Sequence, residues 1–203
     1  MNISERTAEV AVFLRARGAD KSADYAFLAD VVAQLTARSP VRLGRHCVNC
    51  GAVSHGRPLV ISAGNLIAPV HVSLSRAGGI VAVAVSRLGP VGIDIEELSA
   101  VRRAGFDGVA FTAAEQLALL PLRGIAADRA RATMWTKKEA VLKLTGEGLR
   151  TDPREIDVVL DGAAASVSGR AGVQLLGFDP GPGLVGTVAV RAPIAPRLAV
   201  TVA

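Results

Sequence analysis

Three groups of residues in this chain have types and spacings that could do chemistry. In "VGIDIEEL", residues 91–98, a run of strand-forming residues carries two acids, Asp94 and Glu96. Side chains two apart on a strand project from one face, so the carboxylates would stand side by side, where like charges repel. In "MWTKKEAVLKLTGEGL", residues 134–149, a helix would place Trp135, Glu139 and Lys143 on one face at i, i+4 and i+8. In "HCVNCG", Cys47 and Cys50 form a C-x-x-C pair. Each group alone also has an ordinary reading: acids on a solvated strand face, a surface Glu–Lys pair, a reduced cysteine turn. A structural zinc needs four ligands, and the histidines are only His46, His55 and His71. No strand leads into a helix at the cysteines, as a thioredoxin-like pair would require. The reduced turn is therefore the expectation there.

The elements that must position these groups can be read from periodicity. Apolar residues at helical spacing predict two opening helices, over residues 4–17 and 22–38. Residues 39–62 fill with Pro, Gly, Arg and Cys and are expected to be a basic, loop-rich region carrying Arg42, Arg45 and Arg57. "PVHVSLSR", "GGIVAVAVSRLG" and "PVGIDIEEL" are separated by glycine-containing turns and predict three neighbouring antiparallel strands. In "FTAAEQLALL", Thr112 and Glu115 have the spacing of a capping box. A longer helix is predicted over residues 127–144, stopped by Gly146 and Gly148. The remainder, with "EIDVVL", "AASVSG", "LVGTVAV" and "RLAVTV", is strand-like. Helices and then strands thus occur twice. This order predicts an α+β fold of two similar halves, residues 1–98 and 99–203, joined as one compact unit. The likeness of "IVAVAVSR" to "LVGTVAVR" fits a duplicated unit.

Composition bounds the function classes. A chain of 203 residues can bury a real core. Half of it is apolar, yet no uninterrupted apolar run approaches the roughly 18 residues of a spanning helix. The opening "MNISERTAEVAVFLRARGAD" lacks the basic, apolar, small-residue order of a signal peptide, so no membrane association and a cytoplasmic location are expected. Lys and Arg outnumber Asp and Glu by 23 to 18, a formal net charge of +5, which favours an anionic partner. Aromatic residues are only 3% of the chain, without an interleaved Arg/aromatic stretch; base-stacking platforms, and with them nucleic-acid binding, are not expected.

The ordered set "GIDIE", "FTAAE", "WTKKEAVLK" and "TGEGL" resembles the 4'-phosphopantetheinyl transferase superfamily, and specifically its broad-specificity type, which activates peptide and polyketide synthases. The family pattern is G-[IV]-D-x-E on a strand, then F-[ST]-x-x-E, then W-x-x-K-E-A-x-x-K on a helix, and every fixed position is present. Upstream, "CVNCGAVSHGRP" is similar to the family's Cys-Gly…His-Gly-[RK]-Pro segment, and "HVSLSR" occupies the place of its S-x-S-H motif. One position departs: Arg76 stands where the family has a histidine that contacts a coenzyme A phosphate. Arginine can make that contact bidentately and at any pH.

The resemblance implies an enzyme that moves the phosphopantetheine arm of coenzyme A to a serine of an apo acyl or peptidyl carrier protein and releases adenosine 3',5'-bisphosphate. It implies Mg²⁺ held by Asp94, Glu96 and Glu139, since a hard cation takes carboxylate and phosphate oxygens together. Mn²⁺ suits the same donors. Glu139 is also the implied base for the carrier serine; the two roles compete, because a metal-bound carboxylate is a weaker base. Lys143 would reach a phosphate, with Lys138 on the adjacent edge, and Arg45, Arg57, Ser75 and Arg76 would hold coenzyme A phosphates. Glu115 joins the site or only caps its helix. Trp135 is read as a packing anchor and His71 as a structural side chain. Two fused halves suggest a monomer. A different class, a catalytically inactive coenzyme A or carrier-protein binding module, would be signalled by loss of one of the three acids, and all three are present.

Overall fold

A computed structural model describes residues 9–62, 65–66, 70–102, 105–158, 165–167 and 170–203. Where the first helix was expected the chain forms a strand, β1 (Glu9–Ala16); residues 4–8 of that expectation lie outside the described residues. Burial along EVAVFLRA alternates, with Val10, Val12 and Leu14 inside. The helix preference of its Ala, Glu and Arg residues gives way to tertiary context, because strands flank β1 on both edges and satisfy its backbone groups. Helix α1 (Lys21–Thr36) forms where predicted. Asp20 caps its start by accepting from the Ala23 N–H, and Phe27, Leu28, Val31 and Val32 turn inward.

The segment 39–62, expected as loop, instead holds an antiparallel ribbon of β2 (Val41–His46) and β3 (Arg57–Ser62), extended by β4 (Asn65–Leu66); only residues 47–56 connect the first two strands. β2 is half-exposed along most of its length, so no two-residue alternation marks it in the sequence. Next, β5 (His71–Ala77) and β6 (Ile80–Ser86) pair as an antiparallel hairpin, as predicted. The third predicted neighbour, β7 (Val91–Glu97), does not join them: the free edge of β6 is taken by β1. Instead β7 lies against this sheet without a ladder, its Ile93 N–H donating to Ser73 Oγ of β5 and its Val91, Ile93 and Ile95 packing with Val10, Val12, Leu14, Ala82 and Ala84.

Past β7 come α2 (Phe106–Ala110), α3 (Ala113–Leu119) and α4 (Gly124–Thr145). The capping box of α3 is present: Thr112 Oγ1 accepts from the Glu115 N–H and the Glu115 carboxylate accepts from the Thr112 N–H. Helix α4 begins three residues earlier than predicted and ends on Gly146, whose φ of 79° closes the last turn. The chain finishes with β8 (Ala165–Ser166), β9 (Val173–Phe178), β10 (Leu184–Arg191) and β11 (Arg197–Val202). Parts of "EIDVVL" and "AASVSG" lie outside the described residues.

The fold is a mixed α+β arrangement with sheet orders β11-β1-β6-β5, β7-β10-β9-β8 and β2-β3-β4. One order recurs in the two larger sheets. Leaving β11 aside, the first strand (β1, β7) pairs antiparallel with the last (β6, β10), which pairs with the strand before it (β5, β9), and α1 or α4 lies between first and last in sequence. The likeness between "IVAVAVSR" and "LVGTVAVR" falls on β6 and β10, which hold the same place. Strands also cross between the halves: β7 pairs with β10, and β11 returns to lie parallel beside β1. Among the described residues no helix is long and apolar enough to cross a membrane.

Candidate active site

Glycine at position 92 sets the geometry of the site. One face of β7, with Val91, Ile93 and Ile95, packs against the first sheet; the other, with Gly92, Asp94 and Glu96, faces α4. A Cβ on Gly92 would fall 2.0 Å from the Ala140 carbonyl oxygen and 2.5 Å from the Leu144 nitrogen. Strand and helix backbones therefore touch, and this brings Asp94 and Glu96 up to Glu139 and Lys143. Further along, Thr136 Oγ1 and Thr187 Oγ1 stand 2.9 Å apart and fasten α4 to β10.

Asp94 is the buried centre, 3% exposed. Its Oδ1 accepts from Ser75 Oγ at 2.8 Å and from Lys143 Nζ at 2.6 Å, while Lys143 also donates to Ser75 Oγ at 2.9 Å. Asp94 Oδ2 is buried without a partner. Burial pushes the Asp94 carboxyl up by more than Lys143 and Ser75 pull it down. Glu96 is pushed up to about 7, first by burial and then by the Asp94 charge, with Glu139 adding to the repulsion; Lys143 and a hydrogen bond from the Trp135 indole oppose the shift. Glu139 is raised as well, by burial and by Asp94, with Lys143 opposing. Burial is the shared and largest cause for all three carboxyls, and Lys143 is the one cation that opposes it at each of them. Trp135, expected only as an anchor, packs edge-on to Phe106 at 5.1 Å and in addition orients Glu96.

The basic residues divide. Arg57 Nη1 donates to the Leu144 carbonyl at 2.9 Å, which holds the guanidinium beside the end of α4. Arg76 Nε forms a 2.6 Å ion pair with the fully buried Asp24, and Arg76 Nη2 is buried without a partner. The Arg45 guanidinium lies 4.6 Å over the Tyr25 ring, with Arg76 at 5.9 Å from the same ring. A cavity of about 250 Å³ is lined by Tyr25, Arg57, Arg76, Lys143, Gly146 and Gly148, among others. Ser75, read from sequence as a phosphate ligand, donates to Asp94 Oδ1 and accepts from Lys143 Nζ. Asp24 and Tyr25 carried no sequence signal, because nothing in α1 marks which of its turns meets β5.

Two residues left open by the sequence fall elsewhere. Lys138 is fully buried and pairs with Glu115 at 2.6 Å while donating to the Pro153 carbonyl at 2.9 Å. Glu115 also accepts from the Val158 N–H at 3.1 Å. This pair ties α3, α4 and the segment after α4 together and has no part in the acidic cluster. His71 is half-buried near Arg57, and burial together with that charge holds its imidazole below the usual range.

Residues 90–174 match the family model of the 4'-phosphopantetheinyl transferase superfamily. The matched span holds Asp94, Glu96, Trp135, Glu139 and Lys143 but not Arg45, Arg57, Ser75 or Arg76. No curated protein matches the chain. The donor set of the matched part fits the cation that such transferases imply: all-oxygen donors, an orphaned Asp94 Oδ2 and two acids raised by burial and by the neighbouring Asp94 charge. The three carboxylates are more widely spread than the set formed by Cys47, Cys50 and His55. That is the one group of three His, Cys, Asp or Glu ligand atoms among the described residues that lie within 4.8 Å of one another.

Proposed function

We propose that the protein transfers the 4'-phosphopantetheine arm of coenzyme A to a serine of apo acyl or peptidyl carrier proteins, as a broad-specificity 4'-phosphopantetheinyl transferase. The observation that carries this reading is Asp94, which has Lys143 on one buried carboxylate oxygen, none on the other, and Glu96 and Glu139 beside it in the matched segment. Asp94, Glu96 and Glu139 would hold Mg²⁺, which when bound neutralises the pyrophosphate of coenzyme A and aligns it for displacement.

The chain's own groups do the rest. Arg57, Arg76 and Lys143 line the same cavity and present cationic donors to the phosphates, the unpartnered Arg76 Nη2 among them. Arg45, held over Tyr25, extends that surface toward the 3'-phosphate. Glu139, with its proton affinity raised by burial, accepts the proton of the carrier serine. The serine oxygen then bonds to the pantetheine-side phosphorus as the bond from that phosphorus to the bridging oxygen breaks, and adenosine 3',5'-bisphosphate leaves. Ser75 acts as a positioning residue that orients Asp94 and Lys143. The net charge of +5 suits the acidic surface of carrier proteins, so the rate of encounter should fall as salt is raised. The recurring strand order supports a pseudo-twofold molecule with its site between residues 1–98 and 99–203; that it works as a cytoplasmic monomer is part of the same proposal.

The test is intact-mass analysis of a panel of apo carrier proteins after incubation with the protein, coenzyme A and Mg²⁺, each repeated with EDTA. A carrier should gain one phosphopantetheine only when metal is free, and Asp94→Ala should abolish the gain while keeping the wild-type melting curve. Coenzyme A binding without transfer to any carrier would overturn the reading in favour of a binding module. So would near-wild-type transfer by Asp94→Ala.

A further inference from the structure

The connection between β2 and β3 gathers the two cysteines and one histidine of the basic segment. Cys47, 5% exposed, sits at the base of the turn; Cys50 and His55 are at its surface. The turn is closed twice by backbone bonds, Cys47 N–H to the Ala52 carbonyl and Gly51 N–H to the Cys47 carbonyl, both 2.9 Å. Gly56 passes so near the start of the turn that a Cβ there would fall 2.2 Å from the His46 carbonyl oxygen. These constraints place His55 back over the C-x-x-C pair, a proximity that four intervening residues do not dictate in an open loop.

We infer that Cys47 Sγ, Cys50 Sγ and His55 Nε2 bind one thiophilic divalent cation of the zinc class, with a fourth position open to solvent. The three ligand atoms lie within 4.8 Å of one another, and Cys50 Sγ is 3.4 Å from His55 Nε2. A tetrahedral centre with roughly 2.3 Å to sulfur and roughly 2.0 Å to nitrogen separates such atoms by roughly 3.5 Å. The remaining groups agree with that chemistry. Cys47 Sγ accepts from the Asn49 and Cys50 backbone N–H groups, donors that favour a thiolate. The other nitrogen of His55, Nδ1, stands 3.5 Å from Ser54 Oγ, so the tautomer that protonates Nδ1 leaves Nε2 as the ligand. Soft sulfur with imidazole selects zinc over the hard cation proposed for the carboxylates.

Such a centre would act as a clamp on the substrate cavity. Val48, inside the C-x-x-C turn, and Arg57, two residues beyond His55, are the side chains against Gly146 at the end of α4. Fixing the turn therefore fixes Arg57 on the Leu144 carbonyl, one residue from Lys143.

The test is titration of the reduced, metal-free full chain with Co²⁺. One equivalent should bind and give thiolate-to-cobalt charge-transfer absorption, and Zn²⁺ should displace it stoichiometrically. Cys50→Ser and His55→Ala, both at exposed positions, should each lose or shift that absorption while circular dichroism confirms the fold. Glu139→Gln should leave it unchanged. A featureless spectrum with excess Co²⁺, or an unaltered one in both variants, would overturn the inference. Isolation of the chain with a Cys47–Cys50 disulfide that, once reduced, still binds no cobalt would do so too. The readout needs neither coenzyme A nor a carrier protein, so it stands or falls separately from the transferase reading.

Discussion

Replacing Gly92 with alanine tests the contact on which the whole site rests. The added Cβ would lie 2.0 Å from the Ala140 carbonyl oxygen, whereas ordinary contact begins at 3.4 Å, so α4 must retreat by about 1.4 Å. The obstacle is helix backbone, which no rotamer change relieves. Overpacking of this kind costs about 1–3 kcal/mol, which for a chain of this size is a fall in Tm of roughly 2–12 °C. The effect on activity should be larger, because Glu139 and Lys143 ride on the displaced helix while Asp94 stays on the strand. A misplacement of about 1 Å is worth roughly 100-fold in rate. The assay pairs a melting curve with the initial rate of phosphopantetheine transfer. Gly108→Ala is the control: its Cβ would meet nothing within 4 Å, it lies inside α2, and alanine there should stabilise by up to about 1 kcal/mol. If Gly92→Ala kept both Tm and rate while Gly108→Ala behaved as expected, β7 and α4 would not be in backbone contact and the account of the site would fail.

Other perturbations probe the charges. Glu96 binds its proton more tightly folded (about 7) than unfolded (4.5), so its stabilising contribution is complete below about pH 4.5 and is lost as pH rises through 7. Glu96→Gln should therefore raise stability at pH 8 by about 1–2 kcal/mol after solvent screening, with the gain vanishing near pH 4; equal gains at both pH values in urea titrations would refute the assignment. Lys138→Met strands the buried Glu115 carboxylate and should cost about 3–5 kcal/mol, and a loss below about 1 kcal/mol in the same assay would show that the pair is not structural. Arg76→Ala should act twice: it leaves the fully buried Asp24 with only the Gly18 N–H, costing about 1–3 kcal/mol, and it should weaken coenzyme A binding at least tenfold by calorimetry. Weakened binding with unchanged stability would mean that the Asp24 pair does not form.

Much of the chemistry was legible because it is local. Asp94 and Glu96 share a strand face, and Glu139 and Lys143 share a helix face, by period alone; Thr112 and Glu115 read as a capping box because its partners are three residues apart. The errors came where neighbours decide. The opening strand looked helical because its alternation is interrupted by charged helix formers, and only strands on both sides settle the matter. β2 was missed because neither of its faces is fully covered. β7 was assigned to the wrong sheet because edge availability is a property of the assembled sheet, and β1 fills that edge from residues far earlier in the chain.

The sequence by itself determined the acids, the helix that carries Glu139 and Lys143, and their order along the chain, since these depend on residue type and short spacing. Only the tertiary structure decided which cation each acid meets. It joined Lys138 to Glu115 and Lys143 to Asp94, gave Ser75 to that pair and Arg76 to Asp24, and folded His55 onto Cys50. Lys138 and Lys143 are five residues apart on one helix and so point in different directions; which direction is core and which is cleft follows from what packs there, and that is written in distant segments.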